Sequence, residues 1–292
     1  MCELFPVYCE KLKILSSMLV EESLNYARDT GSHLLVAACI YLSLCVAAYF
    51  TTAYLKALAA YGHLKAVKRV LLVTAHPDDE CMFFGPTIVK LARRAECQLF
   101  LLCLSQGDYR NLGRQRRREL WASCKVLGIP DSHVTLCIND YLPDDPGVRW
   151  REDVAAALIL DHAESLGVDT IVTFDKLGVS RHSNHSSVFY AVAYLCMEKK
   201  LPSHCKAYTL ETINVLRKYS GPLDVPISFL MSSFWFVDSL RERASIKAAM
   251  AAHRSQYVWF RKLYMIFSRY TFVNTLREIE CVDLELDLEL DD

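Results

Sequence analysis

The chain has 292 residues, 52% of them apolar, enough to bury a sizeable core in one or two domains. Its 33 Lys and Arg nearly cancel its 34 Asp and Glu, which excludes the global basic field of a nucleic-acid binder and predicts no nucleic-acid partner. The 12 cysteines are scattered among apolar residues without CxxC pairs or metal-finger spacing, so they read as reduced, buried side chains and not as a disulfide framework.

Residues 1–33 carry mixed charge and form an N-terminal segment. Residues 34–55 (LLVAACIYLSLCVAAYFTTAYL) contain no charged side chain. About 22 such residues suffice to cross a hydrocarbon core of roughly 30 Å, so this run is predicted as one transmembrane helix. Tyr49 and Tyr54 near its far end suit an interfacial position better than a core helix. A cleaved signal is disfavoured because a mixed-charge segment precedes the run. Lys56, Lys65, Lys68 and Arg69 follow it and Arg28 precedes it, which places everything C-terminal on the cytoplasmic side. Asn184-His185-Ser186 begins like a glycosylation acceptor inside a motif that a glycan would obstruct, and a cytoplasmic face removes that conflict.

From residue 69 onward strands and helices alternate. Residues 69–74 (RVLLVT) form a short apolar strand; residues 85–95, with Pro86 in the first turn, form a helix. The pattern continues with strand 98–104, helix 114–127, strand 133–138, helix 150–166, strand 169–174 and helix 183–199. It predicts an α/β domain over residues 68–277, a Rossmann-like three-layer α/β/α arrangement around a mostly parallel sheet, with ligands bound at the carboxyl ends of the strands. Beyond residue 201 a strand is expected at 207–215, a buried or interfacial apolar segment at 225–237 and a helix at 241–254. Residues 278–292 alternate acidic and apolar side chains and read as a solvated, disordered acidic tail.

Two clusters carry chemistry. Ala75-His76-Pro77-Asp78-Asp79-Glu80 follows the first strand directly and brings an imidazole and carboxylates to one turn. Spacing alone does not say which of Asp78 and Asp79 ligates a metal and which stays free. The second cluster, Gly178-Val179-Ser180-Arg181-His182-Ser183-Asn184-His185, follows the strand ending in Thr173-Phe174-Asp175. His182 and His185 stand three apart and share a face if they open a helix. Each cluster alone is weak. Two of them at strand ends of one parallel sheet point to a single crevice.

AHPDDE after a leading strand, paired with HxxH after a later one, resembles the LmbE/PIG-L deacetylase family. The resemblance extends to Leu104-Ser105-Gln106-Gly107, RQRRRELWASCKVLGI, FDKLGVSRHSNH and HRSQYVWFRKLYMIFSRY, and with the leading apolar span is similar to the eukaryotic branch over residues 34–276. It implies a Zn2+ held by His76, Asp79 and His185, Asp78 as general base, and His182 beside the substrate carbonyl. It further implies hydrolysis of the acetamide of N-acetylglucosaminyl-phosphatidylinositol, a step of glycosylphosphatidylinositol-anchor synthesis, at the cytoplasmic face of the endoplasmic reticulum membrane. A His2Asp set leaves zinc an open position for water, although iron, cobalt or manganese suit the same donors. Partners expected are the glycolipid and the membrane; protein partners are not legible. Deacetylation of another amino-sugar conjugate and an inactive membrane scaffold are the competing readings.

Four readings stay open at this level. Arg110 and Arg114 either meet the phosphate of an inositol phospholipid or belong to a solvated helix face. Glu80 either supports the site or favours a helix start. Asp175 is a candidate to orient a histidine, and His253 reads as structural. Arg181 stands where the family usually has Gly, which matters if the backbone there requires a positive torsion.

Overall fold

The computed structural model describes residues 4–54, 67–145, 147–232 and 234–280. By contact the chain divides into Met1–Ala47 and Ala48–Asp292. The described residues of the N-terminal unit, 4–47, lie within helix α1 (Leu4–Tyr54), the one described helix long and apolar enough to cross a membrane. At 1.5 Å per residue, its 51 residues extend over roughly 76 Å. Leu34, Leu35, Val36 and Ile40 are all exposed on it. Residues 4–33 of the N-terminal segment share one helix with the apolar run: no proline follows Pro6 within α1 to break it, and a hydropathy boundary is not a backbone boundary. Leu55, the last residue of the expected span, lies outside the described residues.

The second unit is built on a seven-stranded sheet in the order β3-β2-β1-β4-β5-β7-β6. Strands β1 (Arg69–Thr74), β2 (Gln98–Cys103), β3 (Val134–Leu136), β4 (Thr170–Phe174) and β5 (Lys206–Leu210) are parallel. Strands β6 (Phe234–Val237) and β7 (Val273–Glu278) add an antiparallel edge. Side chains alternate between faces as the pleat requires. Val70 and Leu72 join one core with residues of α3 (Gly85–Ala92), α4 (Gly113–Leu127) and α10 (Leu240–Ala252), while Leu71 and Val73 join another with α5 (Glu152–Ser165) and α7 (Ser183–Met197). This is the expected three-layer α/β arrangement with a mostly parallel sheet. The remaining helical elements are short: α2 (Asp79–Met82), the irregular turn α6 (Gly178–Arg181), α8 (Val215–Lys218), α9 (Val225–Met231) and α11 (Trp259–Phe267).

Three expected segments differ, each for a local reason. The strand expected to reach residue 215 ends at Leu210, because the Thr212 and Ile213 amides turn to Asp175 Oδ2 and the Tyr270 hydroxyl and Asn214 caps α8 by accepting from the Arg217 amide. The apolar run 225–237 divides into α9, with Pro226 in its first turn, and edge strand β6. Glu278, placed in the acidic tail, ends β7 and pairs with Lys206 at 2.7 Å. Residues 281–292 of the tail lie outside the described residues. Cys81, Cys103 and Cys124 are buried free thiols whose pKa values burial pushes well up, in keeping with an inert, packing role.

Strand order reverses between β1 and β4: β2 and β3 continue to one side, β5 to the other. A crevice opens at such a switch point, outside the carboxyl ends of the two strands. The His76 loop leaves β1 there and the His182 loop leaves β4.

Candidate active site

Asp79 opens α2 one residue beyond a turn in which Asp78 takes φ 110°. Its Oδ2 accepts the amides of Ala75 (3.1 Å) and His76 (2.8 Å), which fixes the carboxylate over its own loop. Its Oδ1 stands 3.2 Å from His185 Nε2, and Oδ2 stands 3.8 Å from His76 Nδ1. Burial pushes the Asp79 carboxyl up, but the charge and hydrogen bond of His185 and the proximity of His76 outweigh it, so it is held below the usual carboxylate range. His185 is set from behind: its Nδ1 faces the Gly178 carbonyl at 2.9 Å, and its ring stacks on Phe174 at 4.1 Å. A proton on Nδ1 leaves the Nε2 lone pair for a metal, the arrangement in which an outer hydrogen bond fixes the tautomer of a ligand. Gly178 (φ 59°) is required at this point, since a Cβ would meet His185 Cβ at 2.6 Å.

His182 lies between the two. Its ring is 4.9 Å from His76 and 5.0 Å from His185, and it caps α7 by accepting the Asn184 amide on Nδ1. Burial first, then His76 and His185, lower its pKa to about 4, so the ring is neutral near pH 7 with its proton on Nε2. The three histidines offer ring nitrogens within 4.8 Å of one another, a possible three-histidine set that competes with His76, Asp79 and His185. The geometry favours the latter, because His185 Nε2 and His76 Nδ1 both face Asp79 while the His182 Nδ1 accepts an amide and leaves its Nε2 to carry the proton.

Asp78 is enclosed by cations. Arg261 bonds its Oδ2 and Arg116 lies 3.7 Å away. Burial pushes the Asp78 pKa up, and the Arg261 and Arg116 guanidiniums offset this only in part. Behind it, Glu80 accepts the Asp78 amide (2.9 Å), the Ser123 hydroxyl (2.6 Å) and His253 Nε2 (2.7 Å), all buried. Burial raises the Glu80 carboxyl and lowers His253, yet their mutual attraction wins in both and makes them an ion pair. Glu80 thus supports the turn. His253 is structural in a specific way, since it holds the carboxylate that holds Asp78.

A cavity of about 530 Å³ lies over these groups, lined by His76, Asp78, Asp79, His182 and His185. Arg110 and Arg114 are exposed and outside its lining, whereas Arg116 and Arg261 line it. Asp175 bonds Thr212 and the Leu177 and Gly178 amides, so it acts on His185 only through the Gly178 loop. Sequence reasoning missed Asp144, Asn184, Arg116 and Arg261. Asp144 stands 3.1 Å from His76 Nε2 and 3.2 Å from Arg116, and the Asn184 amide nitrogen is 3.0 Å from the same His76 atom. Arg116 carried a readable signal, since Gly113, Arg116, Leu120, Cys124 and Leu127 recur at helical spacing on the buried side of α4. Asp144, in an irregular loop, carried none.

Comparison with known proteins finds several relatives. The chain is 54% identical over 209 residues to N-acetylglucosaminyl-phosphatidylinositol de-N-acetylase of Bos taurus, covering 71% of this chain and 82% of that protein. It is 35% identical to the probable enzyme of that name in Dictyostelium discoideum, covering 73% and 94%. The fold is that of N,N'-diacetylchitobiose deacetylase from Pyrococcus horikoshii, with a TM-score of 0.56 at 17% identity over 80% of this chain and 92% of that one. Residues 71–196, which contain both histidine loops, match the family described as PIG-L: GlcNAc-PI de-N-acetylase, and with these relatives they show that the chain belongs to that family.

Proposed function

We propose that the chain hydrolyses the acetamide of N-acetylglucosaminyl-phosphatidylinositol, releasing acetate and the free amino sugar on its lipid. The observation that carries this reading is the convergence of His76 and His185 on Asp79, with Asp78 beside them, in a chain 54% identical to a relative named for that reaction.

His76, Asp79 and His185 fit a divalent metal: two imidazoles and one carboxylate, each held by an outer hydrogen bond or backbone amide. Zinc suits the set, and when bound it supplies a Lewis acid that polarises the carbonyl and acidifies water. Asp78 is the general base. Its raised pKa brings it nearer to the operating pH, where a carboxylate both accepts a proton and returns it to the departing amine. Arg116 and Arg261 hold its orientation. His182, neutral and protonated on Nε2, donates to the carbonyl oxygen as that oxygen gains negative charge. Proton acceptance falls to Asp78, because the His182 Nδ1 is occupied by the Asn184 amide and its Nε2 carries the proton that it donates.

In this reading the apolar run 34–55, whose described part belongs to α1, spans the endoplasmic reticulum membrane, residues 68–277 form the catalytic domain, and the Lys and Arg flank supports a cytoplasmic side for it. The test is acetate release from the glycolipid by membranes carrying the wild type and Asp78→Asn. Loss of about 10²-fold or more in kcat is expected for the variant. Wild-type membranes that release no acetate overturn the reading.

A further inference from the structure

Helix α11 turns apolar side chains outward. Trp259, Phe260, Leu263, Ile266 and Phe267 are 72, 54, 46, 46 and 53% exposed, while Tyr264 and Met265 face the core. A surface helix ordinarily buries its apolar stripe and wets the opposite one. Two neighbouring elements do the same: Leu216 at the tip of α8 is 82% exposed, and Leu230 at the end of α9 is 88% exposed. The three are contiguous. Tyr219, just beyond α8, meets Tyr264 of α11 with ring centroids 6.3 Å apart, and Arg217 of α8 reaches Met231 of α9 at 3.4 Å. The face also borders the catalytic cavity, whose lining includes Tyr219, Phe260, Leu263 and Phe267.

Acids are missing from this face: residues 213–219, 225–231 and 258–267 contain no Asp or Glu, and of their cations Arg217 pairs with buried Asp224, Arg261 with Asp78 and Lys218 with the Val179 carbonyl. Lys262 is exposed on α11 among the aromatic side chains. Aromatic and aliphatic side chains projecting together, interleaved with cations and free of acids, match the chemistry of a bilayer interface, where rings enter the headgroup boundary and cations meet anionic phosphates.

We propose that the α8, α9 and α11 face docks on an anionic phospholipid bilayer, so that the cavity opens directly onto the lipid layer and the substrate's acyl chains need not leave it. This contact deepens the deacetylase reading and rests on it only for the identity of the substrate.

The test uses the full chain in nanodiscs of phosphatidylcholine and phosphatidylserine, with and without phospholipids brominated along the acyl chain. Brominated lipid is expected to quench part of the tryptophan emission, and Trp259→Phe is expected to remove most of the quenched component. Quenching that is the same in Trp259→Phe, whether water, a second copy or another protein covers residue 259, overturns the proposal. A second arm replaces Leu216, Leu230 and Ile266, none of which lines the cavity, with Ser. KM for the bilayer-borne glycolipid is expected to rise about tenfold or more, with turnover of a chain-free soluble analogue unchanged. An unchanged KM overturns docking. Absence of acetate from both substrates in the wild type defeats the deacetylase reading instead, and leaves the quenching result to decide this one.

Discussion

The loops that follow β1 and β4 bring the candidate metal-binding side chains together by different physical means. The first, from Ala75 to Glu80, is held by buried charge: Asp78 between Arg116 and Arg261, and Glu80 paired with His253. The second, from Asp175 to His185, is held by backbone shape. Gly178, Val179 and Arg181 all have φ near 60°, and the Gly178 carbonyl sets the His185 ring. Removing a group from the first loop leaves a buried charge without its partner. Removing one from the second changes strain and aim. The first loop should therefore be the more fragile, in chemistry and in stability.

The largest effect is expected at Asp79. Asp79→Ala should abolish stoichiometric metal binding and lower acetate release by about 10³-fold or more, because it removes both a ligand and the group that two histidine rings face. Metal content measured by mass spectrometry alongside activity decides the ligand set: full metal retention in Asp79→Ala would mean that His76, His182 and His185 hold the ion. Asp78→Asn, by contrast, should keep the metal while losing turnover.

Next in size is the support behind Asp78. His253→Ala strands Glu80 as a buried, unpaired carboxylate and should cost about 3–5 kcal/mol, read as a fall in the midpoint of denaturant unfolding. The pair also has a pH signature. The His253 pKa is raised from 6.5, so its contribution is complete below pH 6.5 and is lost as pH rises through the folded value. The Glu80 pKa is lowered from 4.5, so its contribution is complete above pH 4.5 and is lost as pH falls through the folded value. The stabilisation unique to wild type should be greatest between those two limits. A wild-type minus His253→Ala difference that stays flat with pH would argue that the ring only fills space.

The same contrast explains what the sequence could and could not convey. The sheet was legible because parallel strands buried on both faces write continuous apolar runs: RVLLVT is β1 residue for residue. The two histidine loops were legible because each follows such a strand directly. The charges around Asp78 were not. Arg261 lies 183 residues from Asp78 and His253 lies 173 from Glu80, and pairings at that separation depend on how α10 and α11 return to the sheet. Arg110 and Arg114 offered a phosphate donor set or a solvated helix face, and the helical phase of α4 turns Arg116 inward instead. The hydropathy of residues 225–237 was visible, yet which of its apolar side chains face outward depends on β6 pairing with β7.

The smallest effect belongs to the second loop and tests whether its strain is tolerated or used. Arg181 takes φ 59° with its side chain exposed, so a Cβ sits in the left-handed region with no burial to compensate. That conformation costs about 1–2 kcal/mol for a residue other than Gly, and Gly returns roughly 0.4–1 kcal/mol of this through the entropy of the unfolded chain. Arg181→Gly should therefore stabilise the protein by about 0.5–1 kcal/mol and leave metal content unchanged, because the Gly178 carbonyl, and not residue 181, sets His185. Val179, also at φ 60°, offers no such clean comparison, since its side chain is buried and its removal opens the core. A marked gain in bound metal in Arg181→Gly would show that strain at residue 181 reaches the ligands, and the two loops would then differ less than their hydrogen bonds imply.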